Sequence, residues 1–149
     1  RVKQYGDQLG ELMNLAKGGA HFWRLAAARP VGGPKIVCLC GSTRFTREMA
    51  CISWALERDE GYIVLGWHLL PDDHPDIQGP FTDGHAAENA GRKEHFDDLH
   101  KRKIDLADEV LVLNIGGYIG DSTRSEIAYA EGHGKPVRYI EPARSGGLT

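Results

Sequence analysis

Two apolar runs, each leading into a glycine-bearing turn and a hydroxyl-rich helix start, constrain this chain most. Residues 35–40 read KIVCLC and residues 109–114 read EVLVLN. A short continuous apolar run is the pattern of a strand covered on both faces. Gly41-Ser42-Thr43-Arg44 follows the first run at once. After the second come the turn 115–121 (IGGYIGD) and then Ser122-Thr123-Arg124-Ser125-Glu126. Strand, turn and helix in that order form the unit of an open α/β sheet, which binds ligands beyond the carboxyl ends of its strands.

The rest of the chain fits the same plan. After Gly41-Ser42-Thr43-Arg44, residues Phe45, Met49, Ile52, Ala55 and Leu56 recur at helical spacing up to about Asp59, and Gly61 stops the helix. Residues 62–65 (YIVL) make a second strand. Residues 91–107 form a helix with Phe96, Leu99, Ile104 and Leu106 as its apolar positions. Asp97, Asp98, His100, Lys101, Arg102 and Lys103 give it a charged outer face, and His100 stands out because that helix leads into the third strand. A helix over 122–132 and a fourth strand over 137–140 complete the order. The expected architecture is α/β: a single flavodoxin- or Rossmann-like parallel sheet of four to five strands in order 2-1-3-4, with helices on both faces. Crossovers are expected to be right-handed. The switch point then falls between strands one and three, where the two special loops meet.

Flanking this domain (35–141) are an N-terminal segment (1–34) and a C-terminal tail (142–149). Leu9, Leu12, Met13, Leu15 and Ala16 predict an amphipathic helix over 5–17, interrupted by Gly18-Gly19. A second helical stretch is expected over 21–28, and Arg29-Pro30-Val31-Gly32-Gly33-Pro34 reads as a linker. Residues 66–89 show no clear periodicity, the mark of a functional loop or lid. Trp67 and His68 open that loop at the end of the second strand, placed to line a pocket.

Composition narrows the function classes. With 149 residues and a net charge of −3, the chain describes one ordinary domain without the global basic bias that duplex nucleic acid would select. No run of about 18 apolar residues and no signal-peptide pattern occurs, so a cytosolic domain with no membrane partner is expected. The three cysteines include no CxxC pair. Cys38 and Cys40 share one face of a strand and are read as buried small hydrophobes rather than a metal or redox pair. The acidic and histidine-bearing loop 66–89 lacks a metal-binding register, and neither a metal nor a cofactor is expected.

The chemistry is expected at the two strand ends. Gly41, Ser42, Thr43 and Arg44 combine backbone amides at a helix start, two hydroxyls and a guanidinium, a set suited to a phosphate. The alternative is an ordinary helix cap with a surface arginine. The turn is not GxGxxG, and no GK[ST] occurs, so NAD reduction and ATP hydrolysis lose support. The second set is Asn114, Tyr118, Asp121, Ser122, Thr123 and Glu126. Ser122 or Thr123 is expected to cap the helix, with Glu126 one turn further in, where it faces the crevice or closes a capping box.

GSTRF after the first strand, ADEVLVLN, then GYIGxSTxxEIxYA and GKPV in this order resemble the nucleoside 2-deoxyribosyltransferase superfamily, nearest its small phage and bacterial branch. They are also similar to the deoxynucleoside 5′-monophosphate N-glycosidases. The match covers roughly residues 35–140 outside the 66–90 loop. The resemblance implies that Glu126 is the nucleophile that attacks the anomeric carbon of the sugar. It implies that Gly41, Ser42, Thr43 and Arg44 hold a 5′-phosphate, that Ser122 assists the glutamate, and that Asp121 and Asn114 lie near the sugar. Where the family carries an aspartate that protonates or positions the leaving base, this chain has His100, and an imidazole can serve as general acid. Members of the family usually form dimers or larger assemblies. The expected activity is N-glycosidic cleavage of a nucleotide or nucleoside. The alternatives are a non-catalytic nucleotide-sensing module and an NAD- or ADP-ribose-directed glycosidase.

Overall fold

A computed structural model describes residues 32–78 and 85–142. The chain divides at Gly33–Pro34 into two units, and every element below belongs to the second. The expected N-terminal helices lie outside the described residues, as does most of the tail.

Four strands form one parallel sheet: β1 (Ile36–Gly41), β2 (Ile63–Leu65), β3 (Glu109–Leu113) and β4 (Val137–Tyr139). Their spatial order is β2-β1-β3-β4, as the sequence predicts. β1 and β3 are central and pair in register from Val37 opposite Glu109 to Gly41 opposite Leu113. That pairing brings the two glycine-bearing turns to the same edge of the sheet. Both central strands are buried along almost their whole length, which is why their sequences are apolar without alternation.

The two faces of the sheet carry different cores. Val37, Leu39, Leu111 and Leu113 face helix α1 (Thr46–Ala55), where Met49 is buried and Phe45, Ile52 and Leu56 pack around it. On the opposite face Cys38, Cys40, Val110 and Val112 meet Ile104, Ala107 and Ala130, contributed by α3 (Lys93–Leu106) and α4 (Asp121–Gly132) and by the residue after α3. Helices therefore cover both faces.

Local details depart from the sequence expectations in four places. The last turn before Gly61 is a π-helical turn, Leu56–Glu60, closed by Gly61 at φ 66°, a left-handed position that suits glycine. A short helix α2 (Ala86–Asn89) interrupts the stretch expected to be wholly irregular. Leu106, expected on the inner face of its helix, is 65% exposed because it falls on the last residue of α3, where the chain turns into β3. Finally, α4 begins one residue early: its N-cap is Gly120, with extended backbone and no side-chain cap. Among the described residues no helix is long and apolar enough to cross a membrane.

Candidate functional site

Beyond the carboxyl ends of β1 and β3 lies a cavity of about 1290 Å³. Its walls come from the turn after β1, the segment after β2, the first half of α3, and the turn before α4 with that helix's first two turns. Every expected site residue except Asn114 borders it.

The turn after β1 is built by its neighbours. Ser42 accepts the backbone N–H of Arg44 at 3.3 Å and so caps the 3-10 turn Thr43–Phe45. Gly41 is closely approached on two sides: a Cβ there would stand 3.0 Å from the Leu113 Cβ and 3.3 Å from the Trp67 ring, so both would have to give way by a few tenths of an ångström. Trp67 is fixed by its indole N–H, which donates to Thr46 Oγ1 at 2.9 Å, while that hydroxyl donates to the Thr43 carbonyl at 2.6 Å. His68 stands edge-on to Phe96 with ring centroids 5.2 Å apart, and burial, more than the neighbouring charges of Lys103 and His100, lowers its pKa.

Arg44 lies over the Tyr118 ring, 3.8 Å from its centroid, and makes no ion pair among the described residues. Stacking holds the guanidinium while leaving its donors available. Tyr118 is positioned by the left-handed glycines Gly116 (φ 63°) and Gly117 (φ 79°), which reverse the chain after β3. A second cation stands across the cavity. Lys93 Nζ pairs with Asp97 and donates to Ser122 Oγ at 3.0 Å. Neither Lys93 nor Asp97 is an expected site residue. The readable signal is their spacing with His100 and Ile104, which puts all four on one stripe of α3.

Glu126 sits on the second turn of α4, its side chain 12% exposed, and its Oε2 is buried without a hydrogen-bond partner. His100 Nε2 is 3.9 Å from that oxygen, and the same nitrogen is 3.4 Å from Cys40 Sγ and 3.7 Å from Cys38 Sγ. Burial raises the Glu126 carboxyl above the usual range, and the imidazole charge offsets this only in part. For His100 burial disfavours the charged form, but the Cys38 thiol and the Glu126 carboxylate outweigh it and raise the pKa. The neighbouring thiols shift each other in opposite directions: Cys40 lowers Cys38, while Cys38 and burial raise Cys40. The two cysteines are fully buried as expected, but their sulfurs are not mere filler, since both meet His100.

Three expected roles meet a different geometry. Asn114 is buried, yet it accepts the Glu141 N–H and donates to the Glu141 carbonyl, both at 2.9 Å. Its amide fastens the chain after β4 and does not border the cavity. Asp121, at the mouth, has a fully exposed carboxylate paired with Arg124 at 3.2 Å, away from Glu126. Ser122 and Thr123 do not cap α4, because the helix has already begun at Asp121. Thr123 is buried at 2% exposure and Ser122 instead meets Lys93. With no hydroxyl cap, the capping-box role for Glu126 falls away.

No family model matches the chain, and neither a curated protein nor a solved structure matches it. What the site can do must therefore be argued from its own chemistry. It offers a desolvated carboxylate at the floor, an imidazole beside it, two cations on the walls, and the first-turn amides of α4, which have no intrahelical carbonyls to bond.

Proposed function

We propose that this domain cleaves the N-glycosidic bond of a nucleotide, with a nucleoside 5′-monophosphate as the preferred substrate. The observation that carries the proposal is Glu126. A buried carboxylate oxygen without a partner, at the floor of a cavity that also presents the Arg44 guanidinium, unpaired among the described residues, is costly for folding and useful for chemistry. The resemblance of GSTRF and GYIGxSTxxEIxYA to the nucleoside 2-deoxyribosyltransferase superfamily points the same way.

In this proposal the phosphate lies against Ser42, Thr43 and Arg44, with the guanidinium held on Tyr118. The sugar then spans towards α4, and the base lies among Trp67, His68 and Phe96. Glu126 attacks the anomeric carbon, the C–N bond breaks, and its electron pair leaves on the base, which takes up a proton. His100 holds the carboxylate in place and is the nearest proton donor. Water then hydrolyses the glycosyl ester and frees Glu126, while transfer to another base would replace that water. A homodimer belongs to the same proposal, and light scattering on the full chain checks it.

A second substrate class is favoured by one observation. The cavity exceeds the roughly 300–1,000 Å³ of ordinary small-molecule pockets, so a dinucleotide such as NAD has room in it. Incubation with a panel of nucleoside monophosphates, nucleosides and NAD, with free base read by chromatography, separates the classes. Release from monophosphates well above that from the matching nucleosides is expected. Release from NAD alone would assign the second class, and binding without any release would make the domain a nucleotide sensor.

A further inference from the structure

The side of the cavity floor away from solvent holds two thiols that glycosidic cleavage does not use, beside the imidazole of His100. Cys38 and Cys40 project from one face of β1, and His100 projects towards them from α3. One ligand atom from each lies within 4.8 Å of the others, and all three residues are buried. We propose that Cys38, Cys40 and His100 bind a divalent cation of the zinc type, with Glu126 as the fourth ligand.

The distances support a tetrahedral centre. Zinc–sulfur bonds of about 2.3 Å and zinc–nitrogen bonds of about 2.0–2.1 Å at tetrahedral angles place sulfur and nitrogen about 3.6 Å apart. The two sulfurs stand 3.4 and 3.7 Å from His100 Nε2. A carboxylate oxygen in the fourth position would lie about 3.4 Å from that nitrogen by the same geometry. Glu126 Oε2 is 3.9 Å from that nitrogen and lies outside the group of three, so its side chain turns towards the sulfurs to complete the set. That oxygen is also the only buried side-chain nitrogen or oxygen among the described residues that lacks a hydrogen-bond partner. A cation would satisfy it.

The surroundings fit the same ion. Two sulfurs, an imidazole and a carboxylate form a borderline-soft donor set that suits zinc and excludes calcium and magnesium, which take oxygen ligands. Ile104, Val110, Val112 and Ala130 wall the cluster off on the core side. His100 and Glu126 border the cavity, which provides the route of entry. On binding, each thiol releases its proton to solvent, His100 is neutral and Glu126 ionised, leaving the centre with one net negative charge. Four protein ligands close the tetrahedron, the pattern of structural rather than catalytic zinc.

The inference rests on the three-residue cluster and not on glycosidic cleavage, but it has a consequence for that activity. A cation that takes Glu126 as a ligand removes the proposed nucleophile, so metal occupancy and turnover exclude each other.

Cobalt(II) titration of the reduced, chelator-treated full chain, without nucleotide, tests the site. One equivalent is expected to give thiolate-to-cobalt charge-transfer absorption and intense tetrahedral ligand-field bands, both displaced by one equivalent of zinc. Cys38→Ser and Cys40→Ser should each remove most of the charge-transfer band, and Cys51→Ser, at an exposed position, should remove none. Glu126→Gln should keep the thiolate band and change the ligand-field pattern. Circular dichroism of each variant identifies any that has not folded, and Cys40→Ala serves if Cys40→Ser has not. Absence of the thiolate band in the folded wild-type chain, or its survival with Cys38 and Cys40 both replaced, would overturn the site. Because this readout contains no substrate, its failure leaves glycosidic cleavage standing, and failure of cleavage leaves the metal site standing.

Discussion

Glu109 is buried and Glu126 largely so, near opposite ends of the sheet, and the protein treats the two glutamates in opposite ways. Glu109 opens β3 at its amino end, 4% exposed, with Lys35 and Arg138 both paired to its carboxylate. Burial alone would raise its pKa, but the ammonium and the guanidinium together bring it below the usual range. Glu126 lies beyond the carboxyl ends of the strands, with an imidazole as its nearest cationic group and one oxygen unpartnered. Its pKa goes up. Compensated burial is what stability selects; uncompensated burial persists where something else is gained. The difference is the basis for proposing the chemistry at the carboxyl end of the sheet, while Glu109 pairs with Lys35 and Arg138 at the other end.

The sharpest way to break this contrast is to replace Glu126. Glu126→Gln is expected to lower the rate of base release by at least about 10³-fold, the order seen when a nucleophile is lost. Arg44→Ala should come next, raising KM for a monophosphate about ten- to a hundredfold while leaving that for the unphosphorylated nucleoside nearly unchanged. That range corresponds to about 1.5–3 kcal/mol for a hydrogen bond to a charged group. At the other end of the sheet, Glu109→Gln is expected to cost about 1–2 kcal/mol in urea denaturation, with no effect on turnover at saturating substrate. The figure is kept low because the Lys35 and Arg138 side chains are 38% and 55% exposed and partly screened.

Acid titration of stability separates the two glutamates further. The folded pKa of Glu109 lies below its unfolded value. Its contribution is therefore complete above about pH 4.3, the ordinary glutamate range, and is lost as pH falls through the depressed folded value. Glu109→Gln should flatten that part of the stability–pH curve. The smallest effect is expected for Glu126→Gln on stability itself, a change within about 1 kcal/mol of zero or a slight gain, because no native hydrogen bond of Oε2 is lost. A loss as large as that from Glu109→Gln would erase the contrast.

Much of the fold could be read from the sequence because the central strands are buried on both faces. KIVCLC and EVLVLN admit few other structures, and with the intervening helices they predict the 2-1-3-4 order. The cavity's position followed from the same order. Its contents were harder to read. Glu126 and Arg44 were legible from their places after glycine turns. The Cys38–Cys40–His100 cluster was not, because it joins a strand to a helix some sixty residues later and depends on which way each face turns. Asn114 was misplaced because its partner, Glu141, lies beyond β4 in a segment with no pattern of its own. The hydroxyls of Ser122 and Thr123 suggested a cap, but extended backbone at Gly120 starts α4 earlier and turns Asp121 outwards. Lys93 and Asp97 were hidden by their charge, which reads as solvated surface until their alignment with His100 is noticed.

The central claim is that Glu126 bonds to the sugar, and mass spectrometry of the protein quenched during turnover tests it most directly. Wild-type protein incubated with a cleaved nucleoside 5′-monophosphate is expected to carry the mass of one sugar phosphate, mapped to the peptide containing Glu126, and Glu126→Gln is expected to carry none. Undiminished base release by Glu126→Gln, or an adduct mapped to another residue, would contradict it.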